Sequence, residues 1–148
     1  MSDLSVPISQ LIEGRSNEKE VFKTVNKLRD QSLLRYENKA TGATLGAGAY
    51  VTLWSATVPR NSSWHITATT VGRGTTGGAA YEQSVGVQNF AGVVTVIGGT
   101  EQVTFIREDN AAMDATFSLT GDVISLTVRD DAVQPMTWNT WVAALGTI

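Results

Sequence analysis

The sequence predicts a mainly β protein: an antiparallel β-sandwich of jelly-roll or immunoglobulin-like kind, preceded by an N-terminal arm and one short helix. Three observations carry this reading. After Tyr50 the chain breaks into about eight short runs whose apolar and polar residues alternate with the period of two that a half-buried strand requires. Gly, Pro, Asn and Asp punctuate those runs at near-regular intervals, as turns do. No helical run lies among them to cross over a parallel sheet, so the strands are expected to pair antiparallel.

Residues 1–15 read as an extended arm. Leu4, Val6, Ile8, Leu11 and Ile12 are apolar but too few to form a core, so they need a partner surface, either on their own domain or on a neighbour. Residues 16–37 read as an amphipathic helix: Asn17 can cap it with Glu20 reaching back, and neither Pro nor Gly interrupts the following turns. Val21, Val25 and Leu28 mark its apolar stripe, which Phe22 and Leu33 widen. That side can lie on the β domain or pair with copies of itself. Residues 38–49, with Thr41-Gly42-Ala43-Thr44 and Gly46-Ala47-Gly48, form a small-residue linker without periodicity, and the domain boundary is expected there.

Residues 50–148 form the sandwich. Trp64, Ile66 and Ala68 alternate with His65, Thr67 and Thr69. Met113, Ala115, Phe117 and Leu119 alternate with Asp114, Thr116 and Ser118, and Ile124, Leu126 and Val128 with Ser125, Thr127 and Arg129. Further strands are expected over 50–58, 81–90, 93–97, 102–107 and 136–145, with turns at Pro59-Arg60-Asn61-Ser62, Ala91-Gly92, Gly98-Gly99, Gly121-Asp122 and Asp130-Asp131.

The 148 residues fit one domain with an appended segment. There is no cysteine, which excludes disulfides, thiolate metal sites and cysteine nucleophiles. A net charge of −3 and a pI near 5.0 argue against nucleic acid or an anionic membrane as partner. Most basic residues crowd the segment up to Lys39, and the acidic excess lies later. The opening residues have neither a basic nor an apolar leader region, and no apolar run approaches the ~20 residues that cross a bilayer.

The search for chemistry leaves little. His65, the sole histidine, falls on the polar face of a strand, and no Gly-x-Ser-x-Gly elbow accompanies it. Glu101, Glu108, Asp109 and Asp114 could supply the carboxylate pair of a glycosidase, but Glu108-Asp109-Asn110 reads better as a solvated turn. That turn and Asp130-Asp131 lack the spacing of a calcium loop. Gly72 to Ala80 resembles a phosphate loop in glycine content alone and is read as a long flexible hairpin loop. No catalytic residue, cofactor or metal is therefore assigned, and the chain is expected not to be an enzyme. Trp138 and Trp141 stand an odd number of residues apart and cannot face the same side of one strand; both are expected to be buried between sheet and helix, with a subunit contact or a sugar-stacking platform as the alternative.

Several segments together carry a resemblance: Val71-Gly72-Arg73 with the Gly-rich stretch and Tyr81, Val93-Val94-Thr95-Val96-Ile97-Gly98-Gly99, the run from Glu108 to Phe117, the run from Gly121 to Val128, and Thr137-Trp138. In these the last half of the chain resembles a β module of bacteriophage structural proteins, both head-surface and fibre- or tail-associated. One departure is that Asp130-Asp131-Ala132 stands where the module has a Gly-centred turn before its final Trp-bearing strand. The resemblance implies a virion component that partners capsid or tail subunits and assembles as a homo-oligomer, with a trimer favoured.

Two functions follow as expectations. The leading one is a phage virion protein that decorates or stabilises the capsid surface or forms a small head fibre, anchored through Leu4, Val6, Ile8, Leu11, Ile12, Val21, Phe22, Val25 and Leu28. The alternative is a tail-fibre or receptor-binding module that recognises a host surface glycan, with Arg73, Trp138 and Trp141 as candidate ligand-facing residues. An enzyme acting on cell-wall polysaccharide ranks third.

Overall fold

The computed structural model describes residues 2–3, 33–99 and 102–147, with side chains placed over 34–99 and 105–147. Its strands are β1 (Ser2–Asp3), β2 (Leu33–Thr44), β3 (Val51–Thr57), β4 (Ser62–Arg73), β5 (Gly78–Asn89), β6 (Val94–Val96), β7 (Gln102–Glu108), β8 (Asp114–Thr120), β9 (Val123–Arg129) and β10 (Met136–Thr147). One sheet has the order β1-β3-β9-β8; the other runs β2-β10-β4-β5-β6, and β7 also pairs with β5. Every pairing is antiparallel except β1 with β3, where Ser2 and Asp3 lie opposite Ala56 and Thr57. The architecture is the antiparallel sandwich that the alternation predicts. Its pairings nest, with β2 on β10 in one sheet and β3 on β9 in the other.

The inward residues of the two sheets meet in one layer. Trp54, Phe117, Ile124 and Leu126 from the four-stranded sheet pack against Trp64, Ile66, Val85, Val87 and Val142 from the six-stranded one. Towards the other end Met113, Ala115 and Val128 pack with Tyr81, Met136 and Trp138. Burying each large side chain contributes about 2 kcal/mol. The phases read from the sequence hold in this core: Trp64, Ile66 and Ala68 are buried while His65, Thr67 and Thr69 are exposed, and Ile124, Leu126 and Val128 are buried.

Leu33–Thr44 corrects the expected helix end at residue 37 and the linker over 38–49: these residues form a twelve-residue strand paired with β10 along its whole length. The sandwich therefore begins at Leu33, and only 45–50 connect β2 to β3. Charges Arg35, Glu37 and Lys39 point outwards, while Tyr36 and Ala40 face the core. Inward polar groups on this strand satisfy one another, since the Tyr36 hydroxyl accepts hydrogen bonds from Trp54 Nε1 (3.1 Å) and Asn38 Nδ2 (2.9 Å). The rest of the expected helix, with Val21, Phe22, Val25 and Leu28, and the arm residues Leu4, Val6, Ile8, Leu11 and Ile12 lie outside the described residues.

The Gly-rich stretch is also corrected. Instead of a long flexible loop, β4 runs to Arg73 and β5 starts at Gly78, leaving a short turn closed by Gly74 N–H donating to Gly77 O at 2.8 Å. Gly72 is needed for packing: a Cβ there would come within 2.5–2.7 Å of the Trp138 ring.

Before β10 the chain makes a turn stabilised by two carboxylates. Asp130 accepts hydrogen bonds from the backbone N–H groups of Gly46 (2.6 Å), Gly48 (2.8 Å) and Ala132 (3.0 Å). Asp131 accepts from Val133 N–H, Gln134 N–H and Gln134 Nε2. Ala132, in this turn, has φ of 64°. A side chain in that region is strained by about 1 kcal/mol, partly offset because glycine loses more entropy on folding. Ala132→Gly should accordingly raise stability by about 0.5 kcal/mol, read as a higher urea midpoint; a lower midpoint would show that the turn relies on the Ala132 methyl.

Candidate functional site

The two outer faces of the sandwich differ in chemistry. On the four-stranded sheet the outward strand residues are mostly hydroxyls: Ser55 and Thr57 on β3, Ser125 and Thr127 on β9, Thr116, Ser118 and Thr120 on β8. The six-stranded sheet instead presents large apolar groups among small polar ones. Trp141 is 46% exposed, Val71 50%, Leu145 45% and Phe105 39%, although all sit within strands.

Strand register sets their order. The ladder through Trp141 reads Lys39, Trp141, Thr69, Glu82, Phe105 across β2, β10, β4, β5 and β7. The next reads Thr41, Asn139, Val71, Ala80, Arg107. On the other side lie Glu37, Ala143, Thr67 and Ser84, and beyond them Arg35, Leu145, His65 and Gly86. With strands about 4.8 Å apart, Trp141 and Phe105 stand three strands, or roughly 14 Å, from each other. The Arg107 guanidinium lies 4.9 Å from the Phe105 ring centroid, a cation–π contact that holds one margin of the face.

Next to Leu145 the face deepens. Ile97, in the turn after β6, folds over Gly86, and with Ser63, His65, Leu145 and Thr147 it borders an open depression of about 510 Å³. The depression lies on the same outer face as Trp141, about four residues, or roughly 13 Å, along β10.

The residues picked out in the sequence distribute unevenly. Trp141 faces outwards half-way along β10, the strand next to the edge strand β2. Trp138 does not face a ligand: it is 1% exposed, stacks on Tyr81 at 6.5 Å between centroids, and donates from Nε1 to Thr44 Oγ1 at 3.2 Å. Arg73 is exposed at the end of β4, opposite Thr137, at the margin of the face. Sequence reasoning missed Lys39, Asn139, Thr69 and Leu145, because their placement beside Trp141 depends on which strands are neighbours.

The carboxylates considered for catalysis or metal binding have structural partners. Glu108 accepts from the Tyr81 hydroxyl at 2.7 Å; burial, followed by this hydrogen bond, raises the phenol well above its ordinary value. Asp109 accepts from Gly78 N–H at 2.8 Å, and Asp114 from the Tyr50 hydroxyl. Among the described residues no three His, Asp or Glu side chains are grouped to hold a metal ion, and no helix is long and apolar enough to cross a membrane.

No family model and no curated protein matches the chain. Among solved structures it is similar to the tailspike protein gp49 of Acinetobacter baumannii bacteriophage Fri1, a capsular polysaccharide depolymerase, at 14% identity and a TM-score of 0.48, covering 76% of this chain and 18% of that one. It is also similar to the tailspike protein of Acinetobacter baumannii phage AM24, at 9% identity and a TM-score of 0.45, covering 77% of this chain and 26% of that one. The chain thus spans about a fifth to a quarter of these tailspikes, and at this distance neither residue roles nor activity carry across.

Proposed function

We propose that the chain is the glycan-recognising module of a phage tail fibre or comparable attachment organelle, binding a host surface glycan on the outer face of its six-stranded sheet. One observation carries the reading: Trp141, about half exposed, projects from the outer face half-way along β10, where its in-register neighbours are the hydrogen-bonding Lys39 on the edge strand β2 and Thr69 on β4. Such an indole is an apolar plane on which a sugar ring stacks while flanking polar groups take its hydroxyls. A core role does not account for it, since its ring is outside the core. The sequence resemblance to phage structural modules supports the same setting, and with it a virion location and a homotrimer.

Capsid decoration through the arm is the less favoured reading. Ser2 and Asp3 pair with β3 of their own chain, so the first arm residues have a partner without a neighbouring subunit.

Trp141→Ala should leave the far-ultraviolet circular dichroism and urea midpoint unchanged and weaken binding at least tenfold on an array of bacterial capsular and O-antigen polysaccharides. Undiminished binding by the variant would remove the platform from the account.

A further inference from the structure

We infer that the ligand of this face is an acidic polysaccharide, one bearing carboxylates at intervals along its chain; this rests on the glycan reading above and narrows it. The argument is the distribution of charge. Of the six basic side chains placed in the structure, four (Arg35, Lys39, Arg73 and Arg107) lie on the outer face of the six-stranded sheet, with only two of the eight acidic ones, Glu37 and Glu82. The chain as a whole carries −3. An acidic protein therefore turns its basic side towards the ligand, the arrangement that attracts a polyanion and repels it elsewhere.

The cations are also spaced. Arg35, Lys39 and Arg73 fall on the ladders of Leu145, Trp141 and Thr137, each four residues from the next, or about 13 Å along the sheet. Two of these ladders pair a cation with a large apolar side chain: Lys39 with Trp141, and Arg35 with Leu145 at the rim of the depression. A sugar stacked on Trp141 places its substituents beside the Lys39 ammonium. Exposed ion pairs are individually weak, so a polymer that meets several at once is favoured over a single sugar acid.

The test is affinity electrophoresis of the full chain through hyaluronan, alginate and polysialic acid, each compared with its carboxyl-reduced form. At least one acidic polymer should retard the chain, and its carboxyl-reduced form should not. Raising sodium chloride from about 0.1 to about 1 M, which shortens the screening length from roughly 10 to roughly 3 Å, should weaken the retardation about tenfold. The double variant Arg35→Ser, Lys39→Ser should do the same, with a circular dichroism spectrum like that of the parent. Trp141-dependent, salt-independent retardation by the carboxyl-reduced polymers would keep the glycan platform and overturn the acidic ligand. No retardation by any acidic polymer would overturn it too. If the double variant changes the solution mass by light scattering and leaves retardation intact, the cations belong to a contact between copies and the inference falls.

Discussion

Trp138→Ala should cost about 4 kcal/mol, the upper range for removing a buried aromatic, whereas Trp141→Ala, three positions away on the same strand, should change stability by less than about 0.5 kcal/mol. The contrast follows from strand parity. Trp138 is 1% exposed, with its ring over Gly72 and against Tyr81, and its Nε1 donates to Thr44. Truncation leaves a cavity that Gly72 has no side chain to fill, and it removes the hydrogen bond that the Thr44 hydroxyl accepts from Nε1. A domain of ordinary stability has about 5–15 kcal/mol in total, so the loss is about a quarter of it or more. Urea denaturation followed by tyrosine fluorescence and circular dichroism would show it. Equal losses in the two variants would mean that Trp141 is also part of the core, and the ligand platform would lose its basis.

The same parity explains how much of the molecule was legible. In β3, β4, β8, β9 and β10 the alternate residues that face the opposing sheet are largely apolar, so the inward face of these strands is written in the sequence. β2 was not legible in this way: as an edge strand it sends inward Tyr36, Asn38, Ala40, Gly42 and Thr44, a mixture with no apolar alternation. Its signal is on the opposite face, where Arg35, Glu37 and Lys39 recur every second residue. The apparent loop from Gly72 to Ala80 was misread for another reason. Glycine is required at position 72 by a ring some 66 residues away in the chain, and long-range packing of that kind leaves no local trace. The candidate site was half visible, in that Trp138 and Trp141 had to face opposite sides of their strand, although the expectation from sequence is that both are buried between sheet and helix. Which one faces out, and which polar groups surround it, follows only from the order β2-β10-β4-β5.

Asp130→Asn should remove on the order of 3 kcal/mol at neutral pH, and most of the difference from the parent should vanish in acid. Asp130 is a 1%-exposed carboxylate at the point where the β2–β3 connection meets the turn before β10. Burial alone would raise its pKa, but hydrogen bonds from Ala132, Gly48, Thr44 and Gly46 outweigh that and hold it below the ordinary value of 3.8. An amide in its place keeps one acceptor and turns a donor towards backbone N–H groups that then have none. A carboxyl whose pKa is lower in the folded state than in the unfolded chain stabilises the fold above the unfolded value. That stabilisation fades as pH falls through the folded value. Asp131, held down chiefly by the Gln134 side chain, acts in the same direction. Urea midpoints of the parent should therefore drop steeply below about pH 4, while those of Asp130→Asn, already lower, should fall less. Parallel decline of the two would place the acid sensitivity in Asp131 or elsewhere and reduce Asp130 to a neutral turn residue.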